Sequence, residues 1–553
     1  MSEPASIRLT LDLPDRPPAT LRVAPEDCET RLDALLARAG YALNTRCAGR
    51  GLCQGCAVEL RAGTLRHKGN LQHATQTLPA CECQLHATAG EAVVVHVPRR
   101  SLLAHSPRIE DAFVLKVSAG QNPLFEQVEV KTHAFAVDLG TTTVAVLLVD
   151  LRDGRIVDRA SALNAQVRFG DNVLTRIEYA GKSPAALGQL QRSLGEETLV
   201  PLLRQLMRRA SLPAGSLAGM AVAANTVMLH LLAGIDPTPL GIAPFQPVFL
   251  EHRIHFSDTL GLVLEDGADP FPVHLLPGLG PYVGADLNAG LAALGLPYRQ
   301  RPSLLVDIGT NGEIVLQTPQ ERLACATAAG PAFEGAGLDC GTRAVEGAIS
   351  EIAASPEGGA FVLKTIGAKP AKQAAGVCGS AYLDFLAVAR QGRLLNQYGR
   401  FEPNAWDHLQ PAQRTQTQWG RALRLNPEAT LPLHISEADI ASLLQAKAAI
   451  AAGIDLLLQS ASLKPEDIET LYLAGGFGRN LNVSCALACG LLPGFREGQI
   501  EVVGNTSLGG TYLCLLDVAL VDELERFRHN TTLLELNQLP DFEDTYLEHL
   551  ALP

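Results

Sequence analysis

Apolar residues alternate with polar ones at Ile7, Leu9, Leu11 and Leu13, the period of a half-buried strand. After the proline-rich stretch 14–18, Leu21-Arg-Val23 predicts the returning strand. Leu32, Leu35, Leu36 and Ala39 then share one helical face, with Thr30 placed to cap it and Asp33 in the capping-box position. Ala57–Leu60 and Ala92–Val97 read as further strands. Downstream the apolar runs become continuous. Phe135–Asp150 reads as strand, tight turn and strand, with Asp153-Gly154 turning the chain into Ile156 and Val157. Leu304–Leu316 repeats the pattern, and Leu471–Gly478 is a buried-type strand running into a Gly-Gly turn. Ser436 caps a long apolar helix over Ala438–Leu458, and Cys485–Leu492 reads as a shorter one. Phe113–Val117 and Asn122–Val130 read as short strands of a connector.

Composition changes this picture in two places. The chain has 553 residues and a formal net charge of −13, without a basic block, which argues against nucleic acid as partner. The start, Met-Ser-Glu-Pro-Ala-Ser, has no charged-then-apolar signal pattern, and the longest apolar runs, such as Leu513–Leu520, are too short to span a bilayer. A cytoplasmic chain that does not enter the membrane is the expectation.

Cysteine placement carries chemistry. Six of the twelve lie in the first hundred residues: Cys28, Cys47, Cys53, Cys56, Cys81 and Cys83. The run Cys47-Ala-Gly-Arg-Gly-Leu-Cys53-Gln-Gly-Cys56 supplies three thiolates on a glycine-rich loop whose backbone can curl around a metal centre. A fourth must come from elsewhere; Cys83 is the candidate, just ahead of the closing strand, with Cys81 two residues away as the alternative. A zinc knuckle usually pairs two short C-x2-C units, which this asymmetric loop does not. C-x5-C-x2-C with a distant fourth cysteine resembles the [2Fe–2S] ferredoxins, and the strand–strand–helix–loop order resembles their β-grasp fold.

The two hairpins form the second constellation. Asp138 ends one strand and Gly140-Thr141-Thr142 make its bend; Asp307, Gly309, Thr310 and Asn311 take the corresponding places in the other. Glycine lets backbone N–H groups approach phosphate oxygens, hydroxyls and amides add donors, and an aspartate can hold Mg2+ through its water shell. Gly475 and Gly476 leave bare backbone for an adenosine. In this order the loops resemble the actin, heat-shock chaperone and sugar-kinase (ASKHA, ribonuclease H-like) superfamily. No G-x4-G-K-[ST] loop is present.

Taken together the motifs resemble the reductive activators of corrinoid-dependent methyltransferases and corrinoid proteins. The matching residues include the cluster loop Cys47–Cys56, Asp138–Thr143 and Ala162–Gly170. Asn225–His230, Val283-Gly-Ala-Asp286, Ala328–Gly335, Val377–Ser380 and Ala474–Gly478 complete the set. The resemblance implies an α/β and α+β multidomain chain. Its domains would be a [2Fe–2S] ferredoxin-like domain over residues 1–98, a linker over 99–133, a middle domain over 134–299 and a C-terminal ASKHA domain over 300–540. It further implies ATP-dependent transfer of an electron from the cluster to an inactive Co(II) corrinoid, regenerating Co(I). The partners would be a corrinoid protein or methyltransferase and an upstream electron donor, with homodimerisation suggested. Cys47, Cys53, Cys56 and Cys83 would hold the cluster, Asp138 and Asp307 would position Mg2+, and Glu334 is the candidate for orienting the attacking water. Asn225 and His230 are expected to pack rather than react. Two other readings share parts of the pattern: an activator like those of the 2-hydroxyacyl-CoA dehydratases, which lack the fused ferredoxin domain, and a ferredoxin fused to a nucleotide sensor.

Overall fold

In the computed structural model, strand Ile7–Asp12 buries every second side chain, as its alternation predicts. Described are residues 7–13, 17–43, 45, 55–74, 76–86, 91–98, 101–102, 111–118, 120, 122–126, 130–170, 172–265, 267–355, 361–417, 420–429, 432–478 and 480–553. They divide into two compact units. One comprises residues 1–106, 334–381 and 408–442; the other comprises 107–333, 382–407 and 443–553.

The first unit contains a mixed sheet in the order Ala19–Val23, Ile7–Asp12, Ala92–His96, Ala57–Ala62, Gln76–Pro79. Ile7–Asp12 is antiparallel to its hairpin partner and parallel to Ala92–His96, the β-grasp arrangement. Helix Leu32–Arg38 covers the sheet through Leu32 and Leu36, both fully buried against Leu9, Leu11, Val58 and Val95. Truncating one such leucine to alanine costs about 2–5 kcal/mol. The expected cap differs. Thr30 closes a preceding 3-10 turn, Pro25–Glu29. Asp33 instead pairs with Arg31 at 2.9 Å, because an acid in the first turn finds the nearest guanidinium more readily than a backbone donor already used by the 3-10 turn. The same unit holds a two-stranded ribbon, Ile349–Ala354 with Phe361–Thr365, and a three-stranded sheet ending in His434–Ser436.

The second unit is an internal duplication. Its first sheet runs Ile156–Leu163, Thr143–Asp150, His133–Leu139, Leu217–Ala223, Pro272–Leu275, with Arg253–Phe256 at the far edge. Its second runs Arg322–Thr327, Gly312–Gln317, Ser303–Ile308, Thr470–Ala474, Ile500–Gly504, with Thr532–Leu533 added at the opposite edge. In both, the first three strands in sequence are antiparallel neighbours and the fourth joins the first in parallel. His133–Leu139 and Ser303–Ile308 are covered on both faces, which is why their sequences read as unbroken apolar runs. Helix Ala285–Leu294 follows Pro272–Leu275 in the first half, helix Thr506–Leu516 follows Ile500–Gly504 in the second, and the two pack on each other.

Among the described residues, the connector strands expected at 113–117 and 122–130 appear as single bridges, Phe113 with Gly504 and Asn122 with Asp517. Ser436 does cap its helix, Glu437–Ser460, by accepting from the Asp439 N–H. Among the described residues this is the single helix with the length and apolarity of a membrane span, and 78% of its apolar window is buried inside the protein. The shorter downstream helix spans Val483–Ala488 and is capped by Asn482.

Candidate nucleotide and cluster sites

Each hairpin lies in its own sheet of the second unit, and the ladders give the two the same pattern of neighbours. Asp138 and Asp307 end the central strands of their sheets, and each is paired in parallel with an alanine, Ala223 and Ala474 respectively. Behind the first bend every carbonyl is occupied. Asn164 donates through Nδ2 to Gly140 O at 3.0 Å and through its backbone to Thr142 O at 2.9 Å. Arg176, wholly buried, donates through Nη2 to Thr141 O and through Nε to Gly170 O. Thr141 and Thr142 are both 8% exposed, so this loop has one narrow accessible face. In the second bend Gly309 N–H donates to Asn311 O at 2.9 Å, closing a tighter turn.

Asp138 is tied across the duplication. Its Oδ1 accepts from Ser507 Oγ at 2.8 Å and its Oδ2 from Asn505 Nδ2 at 2.7 Å. Burial raises its pKa and these two donors oppose the rise. Asn505 is the N-cap of helix Thr506–Leu516 and Ser507 its second residue. The counterpart helix carries Asp286 at its own second position. Asp307 therefore meets a carboxylate where Asp138 meets a hydroxyl. Burial pushes Asp307 up to about 7, with Asp286 and then Asp138 adding to it. Asp286 is likewise pushed up to about 7 by burial, opposed by the Leu287 N–H and reinforced by Asp138. Glu313, opposite Asp307 in the hairpin, is raised well above the usual carboxylate range by burial, Asp286 and Asp307 in turn.

Asp138 raises Asp286 and Asp307, and both of these raise Glu313, so the four carboxyl groups lie near one another, a donor set suited to a hydrated divalent cation. Among the described residues no three acidic, histidine or cysteine side chains converge closely enough to hold a metal ion by themselves. Asp286 and Glu313 were not singled out as site residues by the sequence reading. A Gly-Ala-Asp helix start and a glutamate two residues after a Thr-Asn bend were the available signals.

The third loop is a helical turn, Gly475–Gly478, directly after strand Thr470–Ala474. Gly475 has φ +88°, and a Cβ there would fall 2.5 Å from Asp307 Oδ1, so both the turn and the packing require glycine. Gly476 is exposed, leaving bare backbone beside the second loop. Phe477 stacks on Phe333, ring centroids 5.1 Å apart. Glu334 ends the 3-10 turn Pro331–Glu334 and is the first residue of the 334–381 segment of the other unit.

Asn225 and His230 pack, as expected. His230 bonds Thr226 O at 2.7 Å, accepts from Val248 N–H at 3.0 Å and stacks on Phe249. Asn225 does more: it caps helix Thr226–Ala233 and its Nδ2 lies 2.9 Å from Thr141 Oγ1.

In the first unit, Cys56 and Cys83 are buried, at 1% and 0% exposure. Burial pushes the Cys83 thiol up to about 12, with the neighbouring Cys56, Glu82 and Asp33 adding to it. Two buried thiols close enough for one to act on the other suit a metal centre, which takes them as thiolates. Cys81 lies in the 3-10 turn Ala80–Glu82 and Cys83 opens the strand Cys83–Leu85. The segment is thus not uniformly extended, and the two side chains do not follow strand alternation. Cys47 and Cys53 lie outside the described residues.

With this geometry in place, comparison with known proteins is specific. Residues 133–299 match the model of the RACo middle region, and residues 301–553 that of the C-terminal domain of RACo, the ASKHA domain. The corrinoid activation enzyme RamQ of Eubacterium limosum is 33% identical over 434 residues, covering 75% of this chain and 69% of that protein. The [Co(II) methylated amine-specific corrinoid protein] reductase of Methanosarcina barkeri is 23% identical over 420 residues, 71% of each chain. A solved structure titled as a reductive activator for corrinoid, iron–sulfur protein superposes with TM-score 0.70 at 26% identity, covering 99% of this chain and 98% of that one.

Proposed function

This chain belongs to the RACo family of corrinoid reductive activators, and on that premise we propose that it spends ATP to return a partner's Co(II) corrinoid to Co(I). The observation that carries the reading is the duplicated pair of hairpins. Their end-of-strand aspartates, Asp138 and Asp307, act on a common locus with Asp286 and Glu313.

Thr141, Thr142, Thr310 and Asn311 hold phosphate oxygens, with the backbone of Gly140 and Gly309 close enough to donate. Asp138 and Asp307 position the hydrated Mg2+, and Gly475 and Gly476 give the adenosine room. Glu334 remains the candidate for orienting the hydrolytic water. Cys47, Cys53 and Cys56, with Cys83 in preference to Cys81, bind a [2Fe–2S] cluster. When bound, that cluster supplies a one-electron carrier. Residues 1–98 form the ferredoxin-like domain, 99–133 the linker, 134–299 the middle domain and 300–540 the ASKHA half. The chain works in the cytoplasm on a corrinoid protein or corrinoid-dependent methyltransferase, fed by an upstream reductant.

Reduction of Co(II) is uphill for such a donor. Each deficit of about 59 mV in a one-electron step costs about tenfold in equilibrium, or about 1.4 kcal/mol. Nucleotide can offset this only if the ligand states it favours differ in affinity for the corrinoid partner.

The test mixes reduced, cluster-loaded protein with ATP–Mg2+ and candidate Co(II) corrinoid proteins and follows Co(I) by absorption. ATP-dependent Co(I) is expected; its absence with every candidate removes the reading.

A further inference from the structure

The duplication has diverged at one position beside the first loop. Ala223 and Ala474 are the parallel partners of Asp138 and Asp307, so Asn225 and Gly476, each two residues further on, are counterparts. Gly476 is bare. Asn225 carries a side chain that reaches the first loop.

Its orientation is fixed by a group that can only donate. The Met228 backbone N–H lies 3.0 Å from one end of the Asn225 amide, so that end is the oxygen, Oδ1. Nδ2 is then the end 2.9 Å from Thr141 Oγ1, and it donates to the hydroxyl oxygen. With its oxygen accepting there, the single Thr141 hydroxyl proton must be directed elsewhere. The backbone under Asn225 is held as well. The N–H groups of Ala285 and Asp286 both donate to Ala224 O, at 2.9 and 3.3 Å. Gly284 approaches so closely that a Cβ would fall 2.4 Å from Asn225 Cα. The Val283–Asp286 segment thus serves as a wedge that sets where the Asn225 amide sits.

We propose that Asn225 is a positioning residue that presets the Thr141 hydroxyl as a donor to a nucleotide phosphate oxygen. An ionised phosphate oxygen only accepts, so a hydroxyl already prevented from pointing at Asn225 meets it without reorientation. The inference rests on the reading that nucleotide phosphates occupy the first loop.

The experiment measures ADP–Mg2+ and ATP–Mg2+ affinity calorimetrically on the full-length, cluster-loaded protein and its variants. Asn225→Ser keeps a competent N-cap but is too short to reach Thr141. Asn225→Ser and Thr141→Ala should each weaken binding about five- to tenfold, and the double variant no more than either alone. The unliganded melting temperatures report the fold separately. Asn225→Asp replaces the donor with an acceptor that draws the Thr141 proton inward, and should weaken binding further. Two outcomes overturn the proposal: Asn225→Ser leaves affinity unchanged, or it weakens binding equally with and without the Thr141 hydroxyl, the mark of a purely structural role. If the unaltered protein takes up no nucleotide, the ATP reading itself has failed.

Discussion

Asp307 lies directly opposite Glu313 across the second hairpin, whereas in the first hairpin Asp138 lies opposite Ala145. Side chains directly opposite in an antiparallel pair share a face of the sheet, so the second hairpin presents two carboxylates where the first presents one. Together with the exchange of Ser507 for Asp286 at the equivalent helix position, this makes the two halves electrostatically unequal. The negative charge gathers on the side of Asp307.

Unliganded stability should therefore fall as pH rises from about 4 towards neutrality, because unfolded carboxyls release protons near 4. In the folded chain Asp286 and Asp307 hold theirs up to about 7, so the folded state binds more protons across that window. Melting temperatures across the window check the sign. Glu313→Gln should flatten the slope and raise the melting temperature at pH 8 without nucleotide, while reducing the stabilisation gained from Mg2+ with nucleotide. A steeper slope in that variant would contradict the charge assignment.

Asn505 both caps its helix, accepting from Leu508 N–H at 2.8 Å, and donates to Asp138. Asn505→Ala removes the cap, worth about 1 kcal/mol, and leaves a half-buried carboxylate with one donor fewer. A loss of about 1–3 kcal/mol in denaturant unfolding is expected. Asn505→Asp should also destabilise, since it keeps the cap but sets two carboxylates together.

The thiols can be sorted by absorption. Cys53→Ala and Cys83→Ser should each lose the iron–sulfur spectrum after anaerobic reconstitution while nucleotide affinity stays within about twofold, because these residues lie far in sequence from the loops and nucleotide binding needs no thiolate. Cys81→Ser should retain the spectrum. The reverse result for Cys81 and Cys83 would exchange their roles.

His434 in the first unit bridges two partners, Cys340 Sγ at 3.7 Å and Asp339 Oδ2 at 3.5 Å. Burial works against its charge, but the bonds to Asp339 and Cys340 more than offset this and hold the imidazole up to about 10. A raised histidine contributes fully below its unfolded value, near 6.5, and loses that contribution as pH passes the folded one. The melting temperature should decline between pH 7 and 10, and His434→Gln should be flatter over that range. This window lies above the acidic one, so the two effects separate.

Much of this was legible in the residues. Ile7–Asp12 alternates because one face of its sheet is covered, and His133–Leu139 does not because both faces are. The repeated Asp-x-Gly-Thr bend exposed the duplication, since a phosphate-type turn after a buried strand constrains residue type at each place. Thr30 misled because a capping box is a local pattern, and a 3-10 turn just ahead had already used that residue. Among the described residues, those expected as strands at 113–117 and 122–130 form only single bridges, because a strand needs a partner ladder that no local pattern reports.

Asn225, Asp286 and Glu313 mark the boundary. Their neighbours in sequence are helix starts and strand residues of ordinary kind. Their chemistry comes from groups 84, 148 and 6 positions away, namely Thr141, Asp138 and Asp307. Covalent order dictated the elements, the twofold repeat and which residue types stand at the bends, because backbone conformation and burial pattern are local or periodic properties. That Asp138 meets a hydroxyl was decided only when the two halves packed, and that Thr141 has its proton aimed outward only when the first half folded on itself, because hydrogen-bond polarity depends on distances that the chain order does not contain.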